Sequence, residues 1–348
     1  MNAACPWQFG VEVLRRATIH SRTLLPGNSI RTLSSAKPKL MRRRESVSFR
    51  PNLNRILKDY LLITDNQGVT PEAINRRWNI NAAPEFDNVK KPVMPDEQNP
   101  APYIEFRDVS KAFGDNVVLE HVSFNVLPAE TVCILGRSGV GKSVSLHHIM
   151  GFLKPDSGRV IVAGEDITDY NEDQLELIRK KVTMVFQNGA LFDSLSVGEN
   201  IAFPLRETQE LSEEQIYQIV DGLLEMVGVQ EMRDLLPSDL STGMKRSVAI
   251  ARALAARPEC VLYDEPTTMV DPLMAQLLGD LIKRLKIQLN LTSIVVTHDM
   301  RLAKKLADRV VFLYEAKAIF FGPYAEMEKD PHPIIQEFLE LDELKLEA

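Results

Sequence analysis

Cysteine is scarce. There are three in 348 residues, Cys5, Cys133 and Cys260, and their spacing fits neither a zinc site nor a disulfide framework. Cys133 and Cys260 fall in apolar runs and read as small core hydrophobes of a reducing compartment. No run reaches about 18 consecutive apolar residues, so no transmembrane helix is predicted, and any pore would belong to another polypeptide. Net positive charge is lacking too. The balance is -7, which gives no general electrostatic reason to bind nucleic acid. No internal repeat is visible, so the chain carries one functional unit and not two. What is present is an apolar fraction of 45%, ordinary for a globular protein with a sizeable core.

The first fifty residues differ from the rest. Arg15, Arg16, Arg22, Arg31, Lys37, Lys39, Arg42, Arg43, Arg44 and Arg50 face only Glu12 and Glu45. An Arg- and Ser-rich, acid-poor start reads as an organelle transit peptide, as a solvated tail, or as an extension upstream of a true start at Met41. Leu53, Ile56, Leu57, Tyr60 and Leu61 recur at helical spacing and predict a short helix over 52–63. Pro84, Pro92, Pro95, Pro100 and Pro102 then mark an extended linker. This gives a basic extension and linker over 1–102, a folded domain over 103–330 and an amphipathic helix over 331–348. In that last helix Ile334, Ile335, Phe338, Leu339 and Leu341 form the apolar stripe. It either packs on its own domain or braces a second subunit.

Within the folded domain, short apolar runs alternate with helical patterns. Thr131–Leu135, Val182–Phe186, Cys260–Tyr263, Ser293–Thr297 and Val310–Tyr314 read as strands of a largely parallel sheet with helices on both faces. The clearest helix opens at Ser212, with Gln215 completing a capping box and Gly228 following its end.

Gly136-Arg137-Ser138-Gly139-Val140-Gly141-Lys142-Ser143 fits the phosphate-binding pattern G-x-x-x-x-G-K-[ST]. It follows a predicted strand and opens a predicted helix, the context the pattern requires. Glycines let backbone N–H groups curl around phosphate oxygens, and the helix amino end adds about half a positive charge. Lys142 then reaches the β- and γ-phosphates, and the Ser143 hydroxyl is placed to ligate Mg²⁺. Cys260-Val261-Leu262-Tyr263-Asp264-Glu265 is an apolar strand ending in two carboxylates. Alone it is an ordinary strand end. Downstream of a phosphate loop, Asp264 reads as the Mg²⁺ holder and Glu265 as the general base that polarises the attacking water.

Here the chain resembles the ABC ATPases. Leu240-Ser241-Thr242-Gly243-Met244 is similar to the family's signature motif, followed by a helix expected to begin at Lys245. Gln187 matches the Q-loop, Asp271 the D-loop aspartate, His298 the switch histidine and Phe113 the aromatic that stacks on adenine. These elements occur in family order across Tyr103–Gly322. The resemblance implies an α/β P-loop cassette with a largely parallel sheet, an antiparallel β-subdomain and a helical subdomain over about 188–255. It implies that ATP and Mg²⁺ bind and that ATP is hydrolysed, with Lys142, Glu265 and His298 in the chemistry. Nucleotide contacts then come from Phe113, Gly136 through Ser143, Gln187, Ser241, Gly243 and Asp271, and metal contacts from Ser143, Gln187 and Asp264. Two copies would pack head to tail, so that Ser241 of one closes the site around Lys142 of the other.

The run Phe186–Val197, with Glu199-Asn200 and Phe203-Pro204-Leu205-Arg206-Glu207, looks more narrowly like the Mla-type ATPases. Those serve MCE lipid-transport systems. This implies three partners: a second copy, an integral-membrane permease and an MCE-domain lipid-binding protein, with no nucleic acid; the alternative readings are the ATPase subunit of another ABC importer, for an amino acid or ion, and a soluble ABC ATPase acting on ribosomes or DNA. The expected place is the cytoplasmic face of the inner membrane, or the stromal side in an organelle. The sequence departs from the family at Thr242, where glycine is usual, and at the apolar Met269-Val270. Activity is expected to survive, reduced if Thr242 crowds the facing chain.

Overall fold

Residues 101–208 and 211–347 are described by a computed structural model. The helix expected over 52–63, the basic segment before it and nearly all of the Pro-rich linker lie outside the described residues. Among the described residues, no helix is long and apolar enough to cross a membrane.

Two sheets carry the fold. One is antiparallel and built from β1 (Ile104–Phe113), β2 (Asn116–Val126), β4 (Ser157–Val162) and β5 (Glu165–Asp166), in the order β2-β1-β4-β5. The other contains β3 (Thr131–Leu135), β6 (Val182–Val185), β7 (Cys260–Asp264), β8 (Thr292–Val296), β9 (Arg309–Tyr314) and β10 (Lys317–Pro323). Its order is β10-β9-β3-β8-β7-β6, parallel throughout except that β10 returns antiparallel along β9. Every residue of β3, β7 and β8 is buried. That is why these strands read as unbroken apolar runs and not as alternating ones.

Four strands differ from the sequence reading at their ends: β7 runs one residue further, to Asp264, β9 starts one residue earlier, at Arg309, and β8 and β6 differ as follows. β8 starts one residue early, at Thr292, and ends at Val296. Thr292 can be buried because its hydroxyl accepts the Ala129 N–H at 3.0 Å. β6 stops at Val185 because the Phe186 carbonyl leaves the ladder and accepts the Gly189 N–H, closing a turn.

The core joins the two sheets. Phe106 and Phe124 stack at 4.5 Å between ring centroids, and Leu146 and Ile149 of α1 (Lys142–Ile149) are fully buried in the same cluster. α2 (Glu172–Lys181) opens on a capping box of Asn171 and Gln174. A helical arm then leaves the sheet between β6 and β7: α3 (Val197–Thr208), α4 (Glu213–Met226) and α5 (Thr242–Ala255). The capping box at Ser212 and Gln215 is formed as the sequence implies. α5 begins three residues before Lys245, at Thr242, because the Ser241 hydroxyl accepts the Met244 N–H and caps the helix there. α6 (Pro272–Leu289), α7 (Met300–Leu306), α8 (Tyr324–Met327) and α9 (Pro333–Glu347) complete the chain.

α9 lies against its own domain. Ile335 is fully buried, and the Phe338 ring meets Phe312 of β9 edge-on at 5.1 Å. Glu337 pairs with Arg137 at 2.6 Å, but both side chains are half exposed, so this ion pair adds little stability. The apolar anchor matters more. Ile335→Ala is expected to destabilise the domain by about 2–5 kcal/mol in urea unfolding. A loss below about 0.5 kcal/mol would mean that α9 is held elsewhere.

All five parallel strands point their carboxyl ends to one edge of the sheet. The loops that follow β3, β6, β7 and β8 therefore converge there, the usual position of a ligand site in such a sheet.

Candidate active site

The loop after β3 curls because two glycines allow it. Gly136 has φ 143°, and a Cβ there would stand 2.4 Å from the Leu313 carbonyl oxygen. Gly141 has φ 98°, and a Cβ there would stand 2.6 Å from the Val118 carbonyl oxygen. Neither position accepts a side chain. Gly141 is also the cap residue of α1 and offers no side-chain acceptor, so the first N–H groups of that helix have no side-chain cap. Arg137, Ser138 and Gly139 lie exposed on the outer rim of the loop. Val140 is half-buried.

Lys142 lies inside the curl, buried, with its ammonium donating to the carbonyl oxygens of Gly136 at 2.9 Å and Arg137 at 3.0 Å. Its Nζ stands 3.6 Å from Glu265 Oε1. Burial lowers the lysine pKa, and the neighbouring Glu265 opposes that shift. At the next residue, Ser143 Oγ donates to Asp264 Oδ1 at 2.9 Å. Asp264 ends β7 and is buried, which raises its pKa against the pull of the Ser143 hydrogen bond.

Glu265 leaves the strand with φ 45°. Its N–H still bonds the Val296 carbonyl at 2.9 Å, so the residue is fastened to β8 while its side chain turns toward the phosphate loop. Glu265 Oε2 stands 2.8 Å from His298 Nδ1 and accepts from the Thr268 hydroxyl at 2.6 Å. These contacts, the His298 hydrogen bond first, bring its pKa from 4.5 down to about 2. The two adjacent carboxylates are thus pushed in opposite directions: Glu265 is held ionised, and Asp264 is a buried oxygen whose charge a cation would stabilise.

A pH dependence follows. The native state binds fewer protons than the unfolded chain between pH 4.5 and about 2 at Glu265. The stabilisation is therefore complete above the unfolded value and is lost as pH falls through that window. In urea titrations the stability advantage of the parent over Glu265→Gln should shrink between about pH 5 and about pH 3. A difference that stays flat across that range would contradict the assignment.

The other residues singled out in the sequence lie around this cluster. Phe113 ends β1 and is 47% exposed, with the Lys111 ammonium 5.6 Å from its ring centroid. Gln187 is exposed in the turn after β6. Ser241 is exposed at the start of α5, and Thr242 beside it is exposed as well, so any crowding by Thr242 falls on whatever faces this surface. Gly243 is buried under Met274, whose Cε would stand 2.7 Å from a Cβ there. Asp271 caps α6 by accepting the Met274 N–H at 3.0 Å. Lys142, Ser143, Asp264, Glu265 and His298 are therefore joined by direct contacts, whereas Ser241 and Asp271 use their side-chain oxygens as helix caps. A cleft of about 370 Å³ opens beside the loop, bounded by Val117, Val118, Gly139, Val140 and Tyr314. That is room for a small ligand.

Sequence reasoning missed Thr268. A hydroxyl three residues after Glu265, in the turn closed by the Thr268 N–H on the Glu265 carbonyl, was the available signal. It also missed Glu337, since nothing in the pattern of a tail helix marks a partner two hundred residues earlier in the chain.

The ABC transporter family profile matches residues 119–268. Intermembrane phospholipid transport system ATP-binding protein MlaF of Escherichia coli K12 is 35% identical over 244 residues, 70% of this chain and 91% of that protein. The chain belongs to the ABC transporter ATP-binding family. Protein TRIGALACTOSYLDIACYLGLYCEROL 3, chloroplastic, of Arabidopsis thaliana is 39% identical over 251 residues, 68% of this chain and 72% of that protein. Among solved structures, the ATP-binding cassette MJ0796, in a dimeric post-hydrolysis state with ADP and Pi, superposes with a TM-score of 0.59. It is 31% identical and covers 63% of this chain and 98% of the cassette. This chain is accordingly the ATP-binding and ATP-hydrolysing subunit of an ABC transporter, with the cassette fold expected from its sequence.

Proposed function

We propose that this ABC subunit energises transport of phospholipid or another hydrophobic lipid, working as a head-to-tail pair on an Mla-type permease with an MCE-domain protein. The observation that carries the lipid reading is the similarity to MlaF, a phospholipid-transport ATP-binding protein by its name. A second feature supports permease docking. Phe192 and Phe203, in the segment after the Gln187 turn, leave their rings more than two-fifths exposed, 4.9 Å apart between centroids. Asn200 holds that segment in shape by donating to the carbonyls of Phe192, Leu195 and Ser196. An ordered, aromatic, exposed segment suits the contact with a permease helix. We place the pair on the cytoplasmic face of the inner membrane, or on the stromal side in an organelle.

In this reading the curl of 136–143 and the Lys142 ammonium hold the β- and γ-phosphates, and Phe113 stacks on the base. Ser143, Asp264 and Gln187 are the residues that would hold Mg²⁺. The fit is chemical, because hydroxyl, carboxylate and amide oxygens are hard donors and Asp264 is buried with a raised pKa. Bound there, Mg²⁺ supplies charge neutralisation on the phosphate oxygens. Glu265 orients the attacking water and accepts its proton as the water oxygen bonds the γ-phosphorus and the bridging oxygen leaves with ADP. A carboxylate with a pKa of about 2 is a weak base. The loose transition state of phosphoryl transfer asks more for positioning than for basicity, so the low value is compatible with the role. His298 fixes the Glu265 carboxylate. Ser241 and Gly243 of a second copy close the site from across the interface, and Asp271 faces it there.

Copurification of the full chain from its native membrane tests the assembly. The expected recovery is a multispanning permease with an MCE-domain protein. A different permease without that protein would overturn the lipid reading, and ribosomes or nucleic acid without any permease would overturn the transport assembly.

A further inference from the structure

Arg246 is a buried cation for which, among the described residues, no carboxylate forms an ion pair. It lies on α5, and the residue is only 4% exposed. Nη1 points to the Phe186 carbonyl at 3.5 Å and Nη2 to the Thr268 carbonyl at 3.4 Å. Nε is buried without a partner. Burial lowers its pKa, with no charged neighbour to oppose the shift. A buried charge held by two long hydrogen bonds is costly, and a structural role alone would be served as well by an apolar side chain.

The two carbonyls explain its place. Phe186 immediately precedes Gln187. Thr268 holds Glu265 through its hydroxyl. Ser241 caps α5. One guanidinium therefore touches the turn carrying Gln187, the loop carrying Glu265 and the helix opened by the signature motif. A second arginine of α5 reinforces the first of these links, since Arg252 donates to the carbonyls of Gly189 at 3.1 Å and Ala190 at 2.8 Å. The turn 186–190 is thus pinned to α5 at both ends.

We propose that Arg246 is a positioning residue for ATP hydrolysis, keeping the Gln187 turn and the Glu265 loop in register with the signature helix. It acts through the Phe186 and Thr268 carbonyls and touches neither nucleotide nor water. The proposal rests on Glu265 being the residue that positions the water. It separates Arg246 from Arg252, which reaches only the turn.

Steady-state ATP hydrolysis by Arg246→Met and Arg246→Lys, with Thr268→Val and the double variant Arg246→Met/Thr268→Val, tests it. Arg246→Met is expected to lower kcat about tenfold while ATP KM stays within about twofold, since the phosphate loop is untouched. Arg246→Lys keeps the charge and reaches one carbonyl, and should recover part of kcat. The double variant should lose no more than about twofold beyond the worse single, because both changes release the same loop. Unchanged kcat in Arg246→Met, or fully additive losses, would overturn the proposal. If Arg246→Met fails to fold by its thermal melt, Arg246→Lys decides alone, and a kcat and KM both equal to the parent's would overturn it. Glu265→Gln run alongside keeps the two questions apart: parental activity there would remove the water-positioning role of Glu265 whatever Arg246 does.

Discussion

Glu265→Gln is expected to slow ATP hydrolysis at least tenfold, and removing a positioned proton acceptor costs about 10²–10⁴ in other enzymes. The amide keeps the size of the side chain and can still accept from Thr268. It cannot take a proton from water, and it loses the charge that faces Lys142 at 3.6 Å and His298 at 2.8 Å. Nucleotide binding uses other groups, the curl of 136–143 and the Lys142 ammonium, so affinity for ATP should hold or rise as the opposing carboxylate charge disappears. The variant is therefore expected to accumulate with ATP bound. Single-turnover hydrolysis and filter retention of labelled ATP give the two numbers. Hydrolysis at the parental rate would remove Glu265 from the chemistry.

Lys142→Ala has the opposite signature: binding is lost before chemistry begins. The ammonium is buried, already oriented by two loop carbonyls and placed where phosphate oxygens would enter the curl. Hydrogen bonds to charged groups contribute about 1.5–3 kcal/mol each, so losing two weakens ATP binding by about 10²–10⁴. The carbonyls of Gly136 and Arg137 also lose their donor, which loosens the loop itself. Calorimetric titration with ATP should detect no binding at millimolar nucleotide. Tight binding by this variant would contradict the phosphate loop.

The phosphate loop was legible because its chemistry is local. Glycines at fixed offsets, a strand before and a helix after are all visible in one stretch of sequence. The same holds for Ser212 and Gln215, whose capping box spans four residues. Contacts that join distant segments left no local mark. Thr292 reads as polar and is buried, because its partner Ala129 lies 163 residues away. Arg246 reads as one more charge after the signature motif, because its two carbonyl partners come from the turn after β6 and from the loop after Glu265. The start of α5 at Thr242, three residues before the expected Lys245, has a related reason: the Ser241 hydroxyl caps the helix through the Met244 N–H, a role compatible in separate states with contacting a nucleotide. Ser241 caps its own helix here and, by the family resemblance, would face the nucleotide of a second copy. The antiparallel sheet and the helical arm followed from the family resemblance more than from periodicity, since β5 is two residues long and no pattern marks it.

The central claim is that the Lys142 loop grips a triphosphate which a second copy closes with Ser241. Sedimentation velocity of the Glu265→Gln chain, with and without MgATP, tests it most directly. The expected result is a monomer without nucleotide and a dimer with MgATP, abolished by adding Ser241→Arg. A chain that binds MgATP yet stays monomeric at every concentration, or dimerises equally with Ser241→Arg, would contradict it.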